Sequence, residues 1–449
     1  METLSFRKII TVASMLFGMF FGAGNLIFPA SMGQLAGRNI WLASAGFLIT
    51  GVGLPLLGVA ALGISRENGL LGLASRVGKM YGLFFTCALY LTIGPFFAIP
   101  RCGTVSYTVG IARILPETGQ SLGLAFFSLL FFGAVLFFSL RPGEILTWIG
   151  KVLNPLFLIF LAILIFRALT APMGEISAVD PQGSYLSEAF ATGLLEGYNT
   201  MDALAGLAFG IIVVDVIRRL GVTEPKAIAK NTVRAGIFSS LLMAFIYILV
   251  SVVGAQSRGI FAAAANGGEA LAQTAQHYFG SAGALILAIT VTIACLKTAV
   301  GLITSCSETF VNIFPKGPSY KTWAILFCLL SFLIANLGLD AILAYSMPVL
   351  MFLYPLAIVL ILLTLCGRLF YNNQTVLAWT IGFTAIAAFF DLLRALPEGT
   401  KAVLQLNGVI AFVSDILPLA EAGFGWLIPA AAGCILGIAL SRIKNKQDI

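Results

Sequence analysis

Twelve stretches of about 20 predominantly apolar residues, each long enough to cross a bilayer, follow one another along the chain. They are centred near residues 21, 51, 95, 130, 157, 204, 243, 296, 330, 353, 384 and 433. Hydrocarbon offers no partner to backbone N–H and C=O groups, so spans of this kind fold as helices that satisfy themselves. The chain is therefore expected to be an all-α polytopic membrane protein with 12 transmembrane helices. Its charge content agrees: 10% of its residues are charged, against about 25% in a typical soluble domain.

A formal net charge of +7 suggests an anionic partner such as nucleic acid only until its distribution is considered. With twelve spans and an inside N-terminus, 18 of the 26 Lys and Arg fall in cytoplasmic segments, six fall outside, and Arg101 and Lys297 fall within spans. The cytoplasmic set includes Arg7, Lys8, Arg66, Arg76, Lys79, Arg141, Lys151, Arg218, Arg219, Lys226, Lys230, Arg234 and Lys444. This bias places both termini in the cytoplasm. The basic balance thus reports topology, with the lipid bilayer as partner and no nucleic acid. The first apolar run is too long for a cleaved leader and no A-x-A site follows it, so it is read as the first span.

Reactive chemistry is sparse. The seven cysteines lie almost all in spans without a C-x-x-C pair, which suits small packing residues better than a metal or disulfide framework. His277 is the single histidine and no H-E-x-x-H occurs. A membrane protease or lipid transferase would need a nucleophile–base pair or a metal cluster, so the chain is not expected to be an enzyme.

Two spans are broken at mid-depth. The first contains "MFFGAGNLIFPA", with Gly18, Gly22, Gly24, Asn25 and Pro29 inside an apolar run; the sixth, "FATGLLEGYNTMDALAGLAFGIIVV", carries Glu196, Gly197, Asn199, Thr200 and Asp202. A broken helix exposes backbone groups that cost several kcal/mol each in hydrocarbon unless something fills the break. A cation can accept free carbonyls, and an anionic group can accept free amides at the positive end of a half-helix. Glycine-rich spans also arise from tight helix packing, but packing alone accounts poorly for Asn25, Glu196 and Asp202 in the same segments. The two breaks lie five spans apart and so cross in opposite senses, the signature of a five-plus-five inverted repeat. The repeats are expected at residues 1–170 and 185–367, with two further helices at 373–441. Polar connections are expected near 171–188, 255–280 and 394–423, and the last contains apolar patches suited to the membrane surface.

The segment "GAGNLIFP" resembles the break in the first helix of sodium-coupled transporters with the LeuT-type fold. Nearly end to end, through "GFLITGVGLPLLGVAAL", "GPFFAIPR", "TVSYTVG", "ACLKTAVGL" and "PLAEAGFGWLIP", the chain resembles the bacterial branched-chain amino acid:cation symporter family of the amino acid-polyamine-organocation superfamily. The resemblance implies a bacterial inner-membrane protein that takes up leucine, isoleucine and valine with Na+, without an obligate protein partner. It implies that the amides of Ala23 and Gly24 hold the substrate carboxylate. Carbonyls of Gly18 and Phe21 would face Na+ against span eight, where Thr298 is favoured as the hydroxyl ligand over Thr304 and Ser305, with Ser305 kept in the set. Phe20 and Asn25 would face a second ion.

A branched-chain amino acid is a zwitterion with an apolar tail. The backbone of Gly197 to Thr200 is expected to face the ammonium, and Phe96, Ile99, Tyr198 and Leu302 to form the apolar pocket. Asp202, a charge within a span, is a functional candidate by position; it would hold the ammonium, cap the broken helix or pair with Arg101. Lys297 offers a different coupling: a proton-coupled carrier of small neutral amino acids, with the lysine in the place of sodium.

Overall fold

The computed structural model describes residues 4–22, 24–65, 67, 69–112, 115–141 and 154–447, and these are helical with no strand among them. Lys151 and Arg66 of the cytoplasmic basic set lie outside the described residues.

The first apolar run forms α1 (Phe6–Phe20) and α2 (Gly24–Ala36). A single 3-10 turn at Gly37–Asn39 joins α2 to α3 (Ile40–Leu48), which continues through one π-turn at Ile49–Gly53 into α4 (Leu54–Ser65). Then follow α5 (Leu70–Ser75), α6 (Lys79–Leu91), α7 (Ala98–Gly110), α8 (Gln120–Ser139) and α9 (Asn154–Thr170). The sixth apolar run gives α10 (Ala189–Asn199) and α11 (Asp202–Arg219). The chain continues with α12 (Pro225–Ser257), α13 (Gly267–Ile313), α14 (Tyr320–Ala335), α15 (Leu339–Leu365) and α16 (Gln374–Ala395). It ends with α17 (Glu398–Val403), α18 (Asn407–Ile416) and α19 (Leu427–Gln447).

Among the described residues seven helical runs are long and apolar enough to cross a membrane, or eight if the bent α10–α11 pair counts as one span. Residues 158–170, 320–335 and 427–443 form shorter apolar helices. The difference from twelve has a local cause. The break after α1 leaves it 15 residues long, and the run from Gly24 to Ser65 has no interruption larger than a turn, so α2 is counted with α3 and α4.

The outer surface carries a belt of exposed Trp41, Leu122, Phe126, Leu129, Leu241, Phe245, Leu285 and Leu333, the side chains expected against lipid tails. Inside, the helices meet at glycines. A Cβ at Gly33 of α2 would strike the Ser251 carbonyl of α12, and one at Gly254 would strike the Ala30 carbonyl. The same arrangement joins α3 to α10, where Gly46 lies against the Phe190 carbonyl and Gly193 against the Ala43 carbonyl. Such small-residue seams let helix backbones touch where no hydrophobic force drives them together. The packing is reciprocal: α1 and α2 both lie on α12, while α10 and α11 lie on α3 and α4 respectively. Each broken helix packs on the span that follows the other.

Candidate functional site

The first break follows from the hydrogen bonds that Gly22 and Pro29 do not make. In an unbroken helix the Gly22 N–H would donate to the Gly18 carbonyl. Instead it donates to Asn25 Oδ1 at 2.8 Å, which leaves the Gly18 carbonyl without its helical donor. Pro29, inside α2, has no N–H to give the Asn25 carbonyl four residues earlier. The break therefore presents carbonyls from the end of α1 and the first amides of α2. Ala23, one of the two expected carboxylate-binding amides, lies outside the described residues.

The second break turns at Met201, whose φ of 62° is left-handed, and α10 and α11 meet there at 44°. A left-handed non-glycine residue is uncommon and costs on the order of 1 kcal/mol, so its surroundings must hold it. Thr200 does part of this: its hydroxyl donates to the Gly197 carbonyl at 2.9 Å and accepts from the Asp202 N–H at 3.3 Å. Asp202 thus opens α11 at the positive end of that half-helix, where a carboxylate is favoured.

Asn25 and Asp202 join the two breaks. Asn25 Nδ2 donates to Asp202 Oδ2 at 2.5 Å and also meets the Tyr247 hydroxyl. That hydroxyl, from α12, donates to the same Asp202 oxygen at 2.9 Å. All three side chains are buried. Arg101 reaches in from α7. Its Nη1 donates to the Asn199 carbonyl at 2.6 Å and its Nη2 to the Thr200 carbonyl at 3.4 Å. The guanidinium lies 5.0 Å from the Phe28 ring centroid and closes on Gly24, where a Cβ would stand 2.8 Å from Nη2. From α13, Thr298 packs on the first break: a Cβ at Gly22 would lie 3.1 Å from its Oγ1.

Gly22, Gly24, Asn25, Arg101, Thr200, Asp202 and Thr298 line one cavity. Of the residues expected at the site, the structure brings Phe20, Gly24, Asn25, Thr200, Asp202, Thr298 and Leu302 to its wall. Others lie elsewhere. Phe96 is 37% exposed and does not line the cavity; it closes a π-turn, Thr92–Phe96, that is kinked at non-helical Gly94. Gly197 serves the α10 seam against Thr50 and Gly51. Tyr198 stacks on Tyr354 of α15 at 4.1 Å. Ile99 is buried outside the cavity wall, and Ser305 sits beside Tyr90. Gly18 in α1 and Phe21 just after it are buried but do not line the cavity.

The Asn199 and Thr200 carbonyls, expected to face an ammonium, are held by Arg101. The Asp202 carboxylate is held by Asn25 and Tyr247 and not by Arg101. Tyr247 carries no signal in the sequence, being one more aromatic in a long apolar helix. Ile93 and Ala98 also line the cavity, on either side of the kink at Gly94, a signal that "IGPFFAIP" does contain.

Two apposed broken helices meet at one cavity inside an all-helical membrane protein, the arrangement of the LeuT-type fold. Solved structures agree on the fold. The closed, bromovinylhydantoin-bound form of Mhp1, a nucleobase-cation-symport-1 family transporter, superimposes with a TM-score of 0.61 at 15% identity, over 98% of this chain and 93% of that one. MhsT in complex with L-phenylalanine gives 0.57 at 17% identity, over 96% and 99%. The chain belongs to the family described as branched-chain amino acid transport protein, whose profile it matches over residues 5–444. It is 54% identical to the branched-chain amino acid permease BrnQ of Lactobacillus delbrueckii subsp. lactis, over 95% of both chains. It is 43% identical to the BrnQ of Bacillus subtilis, over 100% of both.

Proposed function

We propose that this protein imports leucine, isoleucine and valine together with Na+ by alternating access across the bacterial inner membrane, with both termini cytoplasmic. The observation that carries the reading is the Asn25–Asp202–Tyr247 cluster, which ties the two helix breaks together at the wall of one cavity. The substrate carboxylate is assigned to the first amides of α2 and the ammonium to Asp202. The apolar tail is assigned to the side of Leu302, Ile93 and Phe209. Na+ is assigned to the carbonyls freed at the end of α1, with the Thr298 hydroxyl opposite. The name of the related permeases supports the substrate, and the reciprocal packing of α1–α2 on α12 and of α10–α11 on α3–α4 supports two inverted five-helix repeats followed by two helices.

The test is uptake of radiolabelled leucine into proteoliposomes with Na+ and proton gradients imposed separately. Accumulation is expected with an inward Na+ gradient alone, and Lys297→Met should keep that requirement. Accumulation driven by protons without Na+, and lost in Lys297→Met, would replace sodium by the lysine as the coupling element. Lysine and glutamate should not compete with leucine, since either would bury an unpaired charge.

A further inference from the structure

Two opposite charges face one cavity without meeting. Arg101 is 3% exposed and Asp202 is 2% exposed, and both contribute to its wall. Among the described residues no ion pair within 4.0 Å joins them; the four pairs present all lie elsewhere. Asp202 is held by an amide and a hydroxyl, and Arg101 by two carbonyls and an aromatic face. The Nε of Arg101 is buried and has no hydrogen-bond partner among the described residues.

Asp202 is close enough to act on the guanidinium but is bonded to Asn25 and Tyr247, so Arg101, whose own hydrogen bonds go to neutral carbonyls, is left short of a directly bonded counter-charge. The negative end of α10 compensates in part, by about half an elementary charge. Two neutral carbonyls do not complete the five-donor fork of an arginine, which matches a carboxylate in two parallel bonds. The place where such a carboxylate would sit is also indicated. Nη2 lies against Gly24, the first residue of α2, so the guanidinium and the free amides of that half-helix converge on one spot.

We infer that Arg101 is the counter-ion of the substrate carboxylate and the residue that restricts the site to ligands bearing one. The inference rests on the transport reading above and deepens it. In that reading backbone amides alone hold the carboxylate; here a side chain from α7 shares the task, and the zwitterion spans the gap between Arg101 and Asp202. It follows why position 24 is a glycine: a side chain there would occupy the carboxylate's place and displace the arginine.

The experiment compares two ligands that differ only in the carboxylate. Purified full-length protein is titrated with L-leucine and, separately, with L-leucinol, and each dissociation constant is taken from the ligand-dependent shift in thermal unfolding. Wild-type protein should prefer leucine by about 100-fold, and Arg101→Gln should reduce that preference by about tenfold or more, mostly by weakening leucine. Arg101→Lys, which keeps the charge but loses the fork, should reduce it severalfold and serves alone if Arg101→Gln does not fold. If Arg101 only braces the α10 carbonyls, both ligands weaken together and the ratio stays at its wild-type value in either variant; that result overturns the inference while leaving the transport reading intact. Failure of wild-type protein to respond to leucine would overturn both.

Discussion

Tyr247→Phe isolates one oxygen. The ring keeps its packing, stacked on Phe21 at 6.3 Å between centroids and edge-on to Phe47 at 5.3 Å, so the change is confined to the hydroxyl. That hydroxyl donates to Asp202 Oδ2 at 2.9 Å and accepts from Asn25. A neutral hydrogen bond between membrane helices contributes about 0.6 kcal/mol on average and up to about 1.7. A bond to a charged group contributes about 1.5–3 kcal/mol. Losing one of each therefore costs about 2–4.5 kcal/mol, divided between stability and substrate affinity. Both are measurable on one preparation, by SDS titration in mixed micelles and by leucine binding. The cluster also predicts that the loss is not independent of Asn25. In a double-mutant cycle with Asn25→Ala, the coupling should reach about 1 kcal/mol or more, because the two side chains touch each other and share Asp202. A Tyr247→Phe protein within about 0.5 kcal/mol of wild type in both assays, with an additive cycle, would refute the claim that this cluster links the two breaks.

Other substitutions probe neighbouring parts of the site. Gly24→Leu should give folded, membrane-inserted protein without leucine binding in a scintillation proximity assay, while Gly24→Ala, which needs the end of Arg101 and slightly the Phe28 ring to give way, should bind leucine more weakly. Thr298→Val removes a hydroxyl at nearly constant volume and should raise the Na+ concentration for half-maximal uptake by about tenfold, with the maximal rate retained at saturating Na+. Gly33→Val should abolish monodisperse protein in fluorescence-detected size exclusion, because its side chain would enter the Ser251 carbonyl of α12.

What the sequence revealed and what it concealed divide along physical lines. Breaks are legible because glycine, asparagine and proline are conspicuous in an apolar run, so Gly24, Asn25, Thr200 and Asp202 can be found without coordinates. Depth along a span is legible too, which is why Thr298 and Leu302 were expected at the site that they line. The direction of a side chain around its helix is not. A site helix in this fold is apolar on nearly every face, so periodicity gives no orientation, and Phe96, Ile99 and Tyr198 point elsewhere. Gly197 shows the other ambiguity: a glycine near a break serves ligand approach or helix contact equally well in the sequence, and here it serves contact with Thr50 and Gly51. Arg101 was visible as a charge within a span, but its partners were not. Only the fold brings the end of α10 to it, nearly a hundred residues later in the chain.

The glycine seams also set limits on motion. At Gly33 and Gly254, and again at Gly46 and Gly193, backbone lies directly on backbone. Shifting α2 along α12 by one residue, 1.5 Å, would bring Met32 or Gln34 to the Ser251 carbonyl that Gly33 now meets, a collision that close-packed interiors do not absorb. The α2–α12 and α3–α10 pairs therefore behave as rigid struts. The compliance of the molecule is left to the places where helical geometry is already interrupted, at Phe21 and Gly22, at Gly94, at Met201 and at Gly280 within α13. Spin labels placed on the two partners of one strut should hold a constant distance through the transport cycle, whereas labels placed on either side of an interruption should change theirs.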